Sequence, residues 1–242
     1  MVICCCDGTL DGILTAVFTA WEIGVDDCSV STGDHNNYEW FAEYRDIATD
    51  NVKAGRVASK VISAMGYEAY EMIYYAAASS DDDRGEAIFK FILAGLVIGR
   101  EVVNNLRGKY VMRVFEMQRS SKREYQHLRG FLRFRDYNGY LIARIEPKNN
   151  LCALLTQFFE DRLMQERFII IDVIRGVAGV HTESLSYMTK LDDDMLAFVR
   201  DMDMKDEFIE LWKVFEENIA IRPRYNPKLQ QQNLPLRFRK YM

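Results

Sequence analysis

The sequence predicts an α+β fold: a mostly antiparallel sheet built from N- and C-terminal sections, with a large helical insertion over about residues 50–128. Three observations carry this. Short apolar runs rich in β-branched or small residues, Val2–Cys6 and Phe168–Val173, stand near opposite ends of the chain and read as strands. Helical periodicity dominates the stretch between them. Asn138-Gly139 lies between two alternating segments, the strongest short hairpin signal. Strands that bracket a helical block favour α+β over repeated βαβ winding. Residues 1–242 are read as a single domain. Its sheet-forming core is 1–48 and 129–220, its helical block 50–128, and its tail an irregular basic segment, 221–242, packed on the domain.

Element by element, Val2–Cys6 is a buried strand and Asp7-Gly8 turns the chain. Thr9 supplies a capping hydroxyl for a helix to about Ile23. Residues 26–43 are polar and aromatic and read as a loop, with a short strand at Tyr44–Ala48. Asp50 is an N-cap for a helix that Gly66 ends. Further helices are expected at 67–78, 85–105 and 109–127, the first two separated by the acidic loop Ser79-Ser80-Asp81-Asp82-Asp83. The apolar stripe Ile88, Phe91, Ile92, Gly95, Leu96 and Gly99 offers small residues where another helix can come close. Strands are then expected at Phe131–Arg135 and Tyr140–Glu146, a helix at Leu151–Leu163, a central strand at Phe168–Val173, and shorter strands at Val177–Thr182 and Leu185–Met188. A helix over Met195–Ile219 precedes the tail, which holds three of the four prolines.

Composition limits the function classes. The chain has 242 residues, 49% hydrophobic and 28% charged, a balance that excludes disordered and low-complexity classes. Its longest apolar run, Ile92 to Gly99, is far shorter than the ~20 residues that span a bilayer. The start carries Asp7 and Asp11 and no basic leader. No membrane association is expected, and the location is read as cytoplasmic. The five cysteines, Cys4, Cys5, Cys6, Cys28 and Cys152, make neither a disulfide framework nor a zinc spacing. They read as small buried hydrophobes, with no metal and no cofactor expected.

Charge is distributed unevenly. The net charge is −5, yet nine Lys/Arg against two acids between Arg107 and Arg135 give that stretch about +7. The tail from Arg222 onward adds six cations and no acid. Tyr225, Phe238, Tyr241, Phe131 and Phe134 lie among these basics, and arginine with aromatic rings suits phosphates and exposed bases. An acidic protein with two basic stretches points to a polyanion-facing surface.

Several catalytic patterns come close. Val2 to Leu10 mimics a haloacid-dehalogenase phosphatase opening, but Cys5 stands where the nucleophilic Asp is needed, so no aspartyl-phosphate can form. Glu124-x-x-His127 puts a carboxylate and an imidazole on one helical face, as di-iron bundles do, but there is no second such pair. His35 and His181 are isolated in sequence. Asp172 and Arg175 stand at a strand end as an ion pair or a phosphate-positioning group. Phosphate-binding glycine loops and the serine nucleophile elbow are missing.

Over nearly its whole length the chain resembles a bacterial family of DNA-metabolism or DNA-repair proteins of undefined activity. The matching residues begin with Asp7-Gly8-Thr9, Gly12 and Thr49-Asp50-x-x-Lys53-Ala54-x-Arg56-Val57. They continue with Glu124-x-x-His127-x-x-Gly130-Phe131-x-Arg133-Phe134, Ile145-x-Pro147, Asp161-Arg162 and Ile170-Ile171-Asp172-x-x-Arg175. They end with Leu211-Trp212, Phe215, Arg224-x-Asn226-Pro227, Gln230 to Gln232, and Pro235-x-Arg237-Phe238-x-Lys240. The chain departs from the pattern at Phe158, where the family carries His, near Phe168, where the strand usually begins with Trp, and at Arg239, where Trp is usual. The resemblance implies a radical-SAM DNA-repair protein as partner, and some relatives are similar to this chain fused to a uracil-DNA-glycosylase-like domain.

The resulting expectation is a DNA-binding accessory protein. Its nucleic-acid contacts are Arg129, Arg133, Arg224, Arg237, Arg239 and Lys240. The alternatives are an enzyme acting on nucleic acid or a nucleotide through Glu124, His127, Asp172 and Arg175, and a protein-interaction module.

Overall fold

The computed structural model describes residues 1–33, 41–183, 185–201, 226–233 and 235–241, together with 211, 215 and 218. It divides into two compact units, Met1–Arg123 and Glu124–Met242.

The first unit contains a three-stranded sheet. β1 (Val2–Cys5) lies between β2 (Cys28–Ser31) and β3 (Glu43–Asp46), and both pairings are parallel. This corrects the expectation of one mostly antiparallel sheet drawn from both ends of the chain: the N-terminal strands form a parallel sheet of their own. The reason lies in the connection. α1 (Leu10–Ile23) carries the chain from the end of β1 back to the start of β2, so the two strands run the same way. The continuous apolar character of β1 fits a strand covered on both faces. β2 falls in the region read as loop. Cys28 and Val30 are buried while Ser29 and Ser31 are half-buried, an alternation too short to register in the sequence.

The helices begin where the caps predict. Thr9 Oγ1 accepts from Gly12 N–H at 3.0 Å at the start of α1. The Asp50 carboxylate accepts from Val52 and Lys53 N–H at 2.8 and 3.1 Å at the start of α2 (Asn51–Met65). α3 (Tyr67–Ala77) and α4 (Arg84–Ile98) follow. The helix expected to reach residue 105 stops at Ile98 and continues as a 3-10 segment, Gly99–Asn104. A Cβ on Gly95 would lie 2.1 Å from Met65 Cε, so the absent side chain is what admits Met65 of α2 against α4. Ile13, Ile73, Ile88, Phe89 and Phe91 are completely buried in the core of this unit. Truncating one such side chain costs ~2–5 kcal/mol.

α5 (Lys109–Phe131) starts in the first unit, and its last two turns belong to the second. In the second unit the sheet order is β4-β5-β6-β7-β8: Arg135–Tyr137, Tyr140–Ile145, Phe168–Asp172, Val177–Thr182 and Leu185–Lys190. The Asn138-Gly139 turn joins β4 to β5, with φ of 52° and 83°, the left-handed pair that a two-residue hairpin requires. The hairpin and the Phe168 strand share one sheet, as expected, but β5 and β6 pair parallel rather than antiparallel. α6 (Cys152–Arg162) is the crossover between them. The strand expected at Phe131–Arg135 begins only at Arg135. Residue 131 stays helical, and its ring stacks on His127 one turn earlier, 6.1 Å between centroids.

α6 lies on β6 and β7. A Cβ on Gly179 of β7 would fall 1.8 Å from Thr156 Oγ1, so that glycine sets how closely the helix sits. Thr156 donates to the Cys152 carbonyl at 2.8 Å, and Cys152 Sγ to the Ile170 carbonyl at 3.3 Å. α7 (Asp193–Asp201) opens the helix expected from Met195; the rest of that span lies outside the described residues except 211, 215 and 218, which are helical. In the tail, α8 (Pro227–Asn233) and a 3-10 turn, Leu236–Tyr241, are helical.

Candidate functional site

The four residues considered for catalysis are distributed over two local structures. Glu124, on α5, is buried, and its carboxylate faces the turn after β5. Oε1 accepts from Lys148 N–H at 3.0 Å, and Oε2 accepts from Asn149 N–H and Nδ2 at 2.9 and 2.7 Å. Asp172, at the end of β6, is completely buried. It accepts from Ile174 and Arg175 N–H and from the Arg175 guanidinium at 2.9 Å. Arg175 also donates to the Pro147 carbonyl at 3.0 Å and to the Lys148 carbonyl. Glu124, Asp172 and Arg175 therefore form one network around residues 147–149. Both Glu124 oxygens, both Asp172 oxygens and the two terminal nitrogens of Arg175 are engaged within the network, by main-chain groups, by the Asn149 amide and by one another.

His127 is placed elsewhere. It stacks between Phe131 and Phe238, with centroids at 6.1 and 5.5 Å and rings 19° from parallel in both cases. His181 is buried in β7, stacks on Phe168, and has Nδ1 at 2.7 Å from Ser186 Oγ. His35 lies outside the described residues.

The same end of α5 presents arginine beside aromatic rings. The Arg129 guanidinium lies 4.0 Å from the Phe158 centroid and 5.5 Å from that of Tyr125. Arg162 lies 5.5 Å from Phe158. Arg129 Nε is buried with no hydrogen-bond partner among the described residues. Arg133 is exposed, and its guanidinium donates to the Gly130 and Leu132 carbonyls, closing the C-terminus of α5. Phe238, flanked by Arg237 and Arg239, reaches His127, so the tail's 3-10 turn and the end of α5 come together. Arg239 is half-buried. Arg224 and the side chains of Arg237 and Lys240 lie outside the described residues.

Arg162 and Phe158 escaped the sequence reading as contact residues. The signal was present: Phe158 and Arg162 stand four apart on α6 and share a face.

In the first unit, part of the basic stretch is already paired. Arg113 bonds Asp83 through two nitrogens at 2.7 and 2.8 Å and contacts Asp81 at 3.0 Å. The Arg113 hydrogen bonds hold the carboxyl of the exposed Asp83 below the usual range, outweighing a partial desolvation, and Asp83 in turn raises the guanidinium. Lys122 reaches Glu71 at 3.0 Å. The acidic loop thus neutralises Arg113, and Glu71 of α3 neutralises Lys122, two of the nine cations of the basic stretch.

Cys4, Cys5, Cys28 and Cys152 are buried and Cys6 is half-buried. Burial pushes the Cys4 thiol to about 11, with Cys28 adding to it, and burial likewise takes Cys152 to about 11. Asp7 caps the turn that opens α1. Its Oδ1 accepts from Thr9 N–H and Oγ1 at 2.9 and 2.7 Å, and its Oδ2 from Thr49 Oγ1 at 2.8 Å. Among the described residues no group of three or more His, Cys, Asp or Glu is placed to hold a metal ion, and no helix is long and apolar enough to cross a membrane.

The second unit is thus an α+β scaffold, braced internally by a buried carboxylate network, that carries arginines against aromatic rings at one end. Residues 82–242 match the domain of unknown function DUF4130, and the chain belongs to that family. No curated protein matches the chain.

Proposed function

We propose that this protein is a DNA-binding accessory of DNA metabolism, and that the end of α5, α6 and the tail form its phosphate-contacting surface. One observation carries the reading: Arg129 and Arg162 both lie against Phe158, and neither has a carboxylate partner among the described residues. A guanidinium held flat by a ring keeps its edge donors free for phosphate oxygens, and aromatic neighbours accept unstacked bases. The departure from the family pattern at Phe158 belongs to this reading. A ring without a titrating group suits stacking rather than proton transfer. Chemistry on DNA then falls to a partner, for which the family resemblance implies a radical-SAM protein. A reducing, cytoplasmic setting is consistent with five free thiols.

The test is a salt titration of binding to a single-stranded and a duplex oligonucleotide. Each phosphate contact contributes about 0.7–0.9 to the slope of log affinity against log salt. Arg129→Ala with Arg162→Ala should lower that slope by up to about 2 and weaken all sequences alike. An unchanged slope in a folded double variant would overturn the reading.

A further inference from the structure

In the first unit, α1, α2 and α4 enclose a cavity of about 380 Å³ that the DNA-binding surface does not involve. Val17, Val61 and Ile92 form its buried floor. Phe18, Val57 and Leu96 are its half-buried walls, and Trp21 stands at the mouth with 57% of its surface exposed. A volume of this size, with mostly apolar walls, lies in the range of small-ligand sites, roughly 300–1,000 Å³.

The mouth is cationic. Arg56 and Lys60, one turn apart on α2, both line the cavity, and the Arg56 guanidinium lies 4.9 Å from the Phe18 centroid. The Phe18 ring also carries Lys53, whose charge is satisfied by Glu22 at 2.9 Å. Arg56 and Lys60 have no ion-pair partner among the described residues, on a chain whose net charge is −5. Two cations without acids at the rim of an apolar cavity complement one kind of occupant: an acyl or aromatic body for the cavity, and a single anionic head for the rim.

We propose that this cavity binds a small amphiphilic anion, a medium-chain or aromatic carboxylate being the simplest member of the class. The apolar body displaces water from the walls, the term that supplies affinity. The head group lies between Arg56 and Lys60, where the guanidinium offers paired donors to a carboxylate. Arg56, fixed over Phe18, is already oriented for it.

The experiment is calorimetric titration of the full chain with decanoate and, as the neutral counterpart, decanol. Saturable one-to-one binding is expected, with decanoate roughly tenfold tighter, a difference of about 1.4 kcal/mol. Arg56→Glu with Lys60→Glu should remove the preference and leave decanol binding in place. Leu96→Trp fills the cavity and should abolish both. Should that variant unfold, quenching of Trp21 fluorescence by a brominated decanoate, lost in Trp21→Phe, reads the same site. No saturable binding, equal affinity for acid and alcohol, or binding indifferent to charge reversal overturns the proposal. So does a dimer that decanoate dissociates, which would make a second copy of the chain the occupant.

Discussion

Glu124 and Arg175 hold opposite polarities of one turn: the carboxylate receives the N–H groups of Lys148 and Asn149, and the guanidinium donates to the carbonyls of Pro147 and Lys148. Residues 147–149 leave β5 for α6, so the pair fixes where the crossover begins. Pro147, with no N–H of its own, offers only its carbonyl, and Arg175 takes it.

Replacing Glu124 by Gln sets an amide N–H₂ among donors, whichever way the amide turns. Leaving a buried donor unpaired costs about 1–3 kcal/mol. The urea midpoint of Glu124→Gln should fall accordingly with an unchanged m-value, while the salt slope of DNA binding stays that of the native chain. A variant of native stability that had lost a DNA-directed activity would instead give Glu124 a chemical role.

The fold was partly legible in the sequence, and the misses have physical causes. Caps were readable because Thr9 and Asp50 act on N–H groups two or three residues away, within a window that sequence alone covers. The Asn138-Gly139 turn was readable for the same reason. Strand direction was not, because it depends on whether a helix crosses between partners. α1 and α6 both do, and made β1–β2 and β5–β6 parallel. At the candidate site, the arginines of α5 were visible as a charge count. Which of them were already neutralised was not: Arg113 meets Asp83 thirty residues away in sequence. The spacing of Phe158 and Arg162 was legible, but Phe158 also meets Arg129 across the fold, and no local spacing announces that contact.

The buried thiols set a pH dependence. Unfolded cysteine ionises near its ordinary value of 9.0, whereas burial holds Cys4 and Cys152 protonated up to about 11. The folded state therefore keeps protons that the unfolded state releases. The stabilisation is fully present below pH 9 and is lost as pH rises toward 11. Other groups titrate there too, so the readout is a difference. Unfolding free energy measured from pH 8 to 11 should fall less steeply for Cys4→Ala with Cys152→Ala than for the native chain. Parallel curves would contradict the burial assignment. A thiol reagent at pH 8 should likewise leave both cysteines unmodified in the folded protein.

The last prediction separates binding from catalysis at His127. Its imidazole lies between the rings of Phe131 and Phe238, and the second contact ties the tail to α5. An aromatic pair contributes about 0.5–1.5 kcal/mol beyond the area it buries. Its loss should therefore raise the opening equilibrium of the tail roughly two- to tenfold. Phe238→Ala and His127→Ala should both speed tryptic cleavage around Arg237, Arg239 and Lys240 by that factor and weaken DNA binding together. His127→Phe preserves a ring in the stack but removes every titrating atom. If the imidazole serves only to anchor the tail, this variant keeps native cleavage rates and native affinity. If it transfers a proton in a reaction on nucleic acid, His127→Phe keeps the tail closed and the affinity intact but loses turnover. The same three variants thus read the anchor through proteolysis and the chemistry through product formation, and the anchoring role predicts that only the alanine variants depart from the native chain.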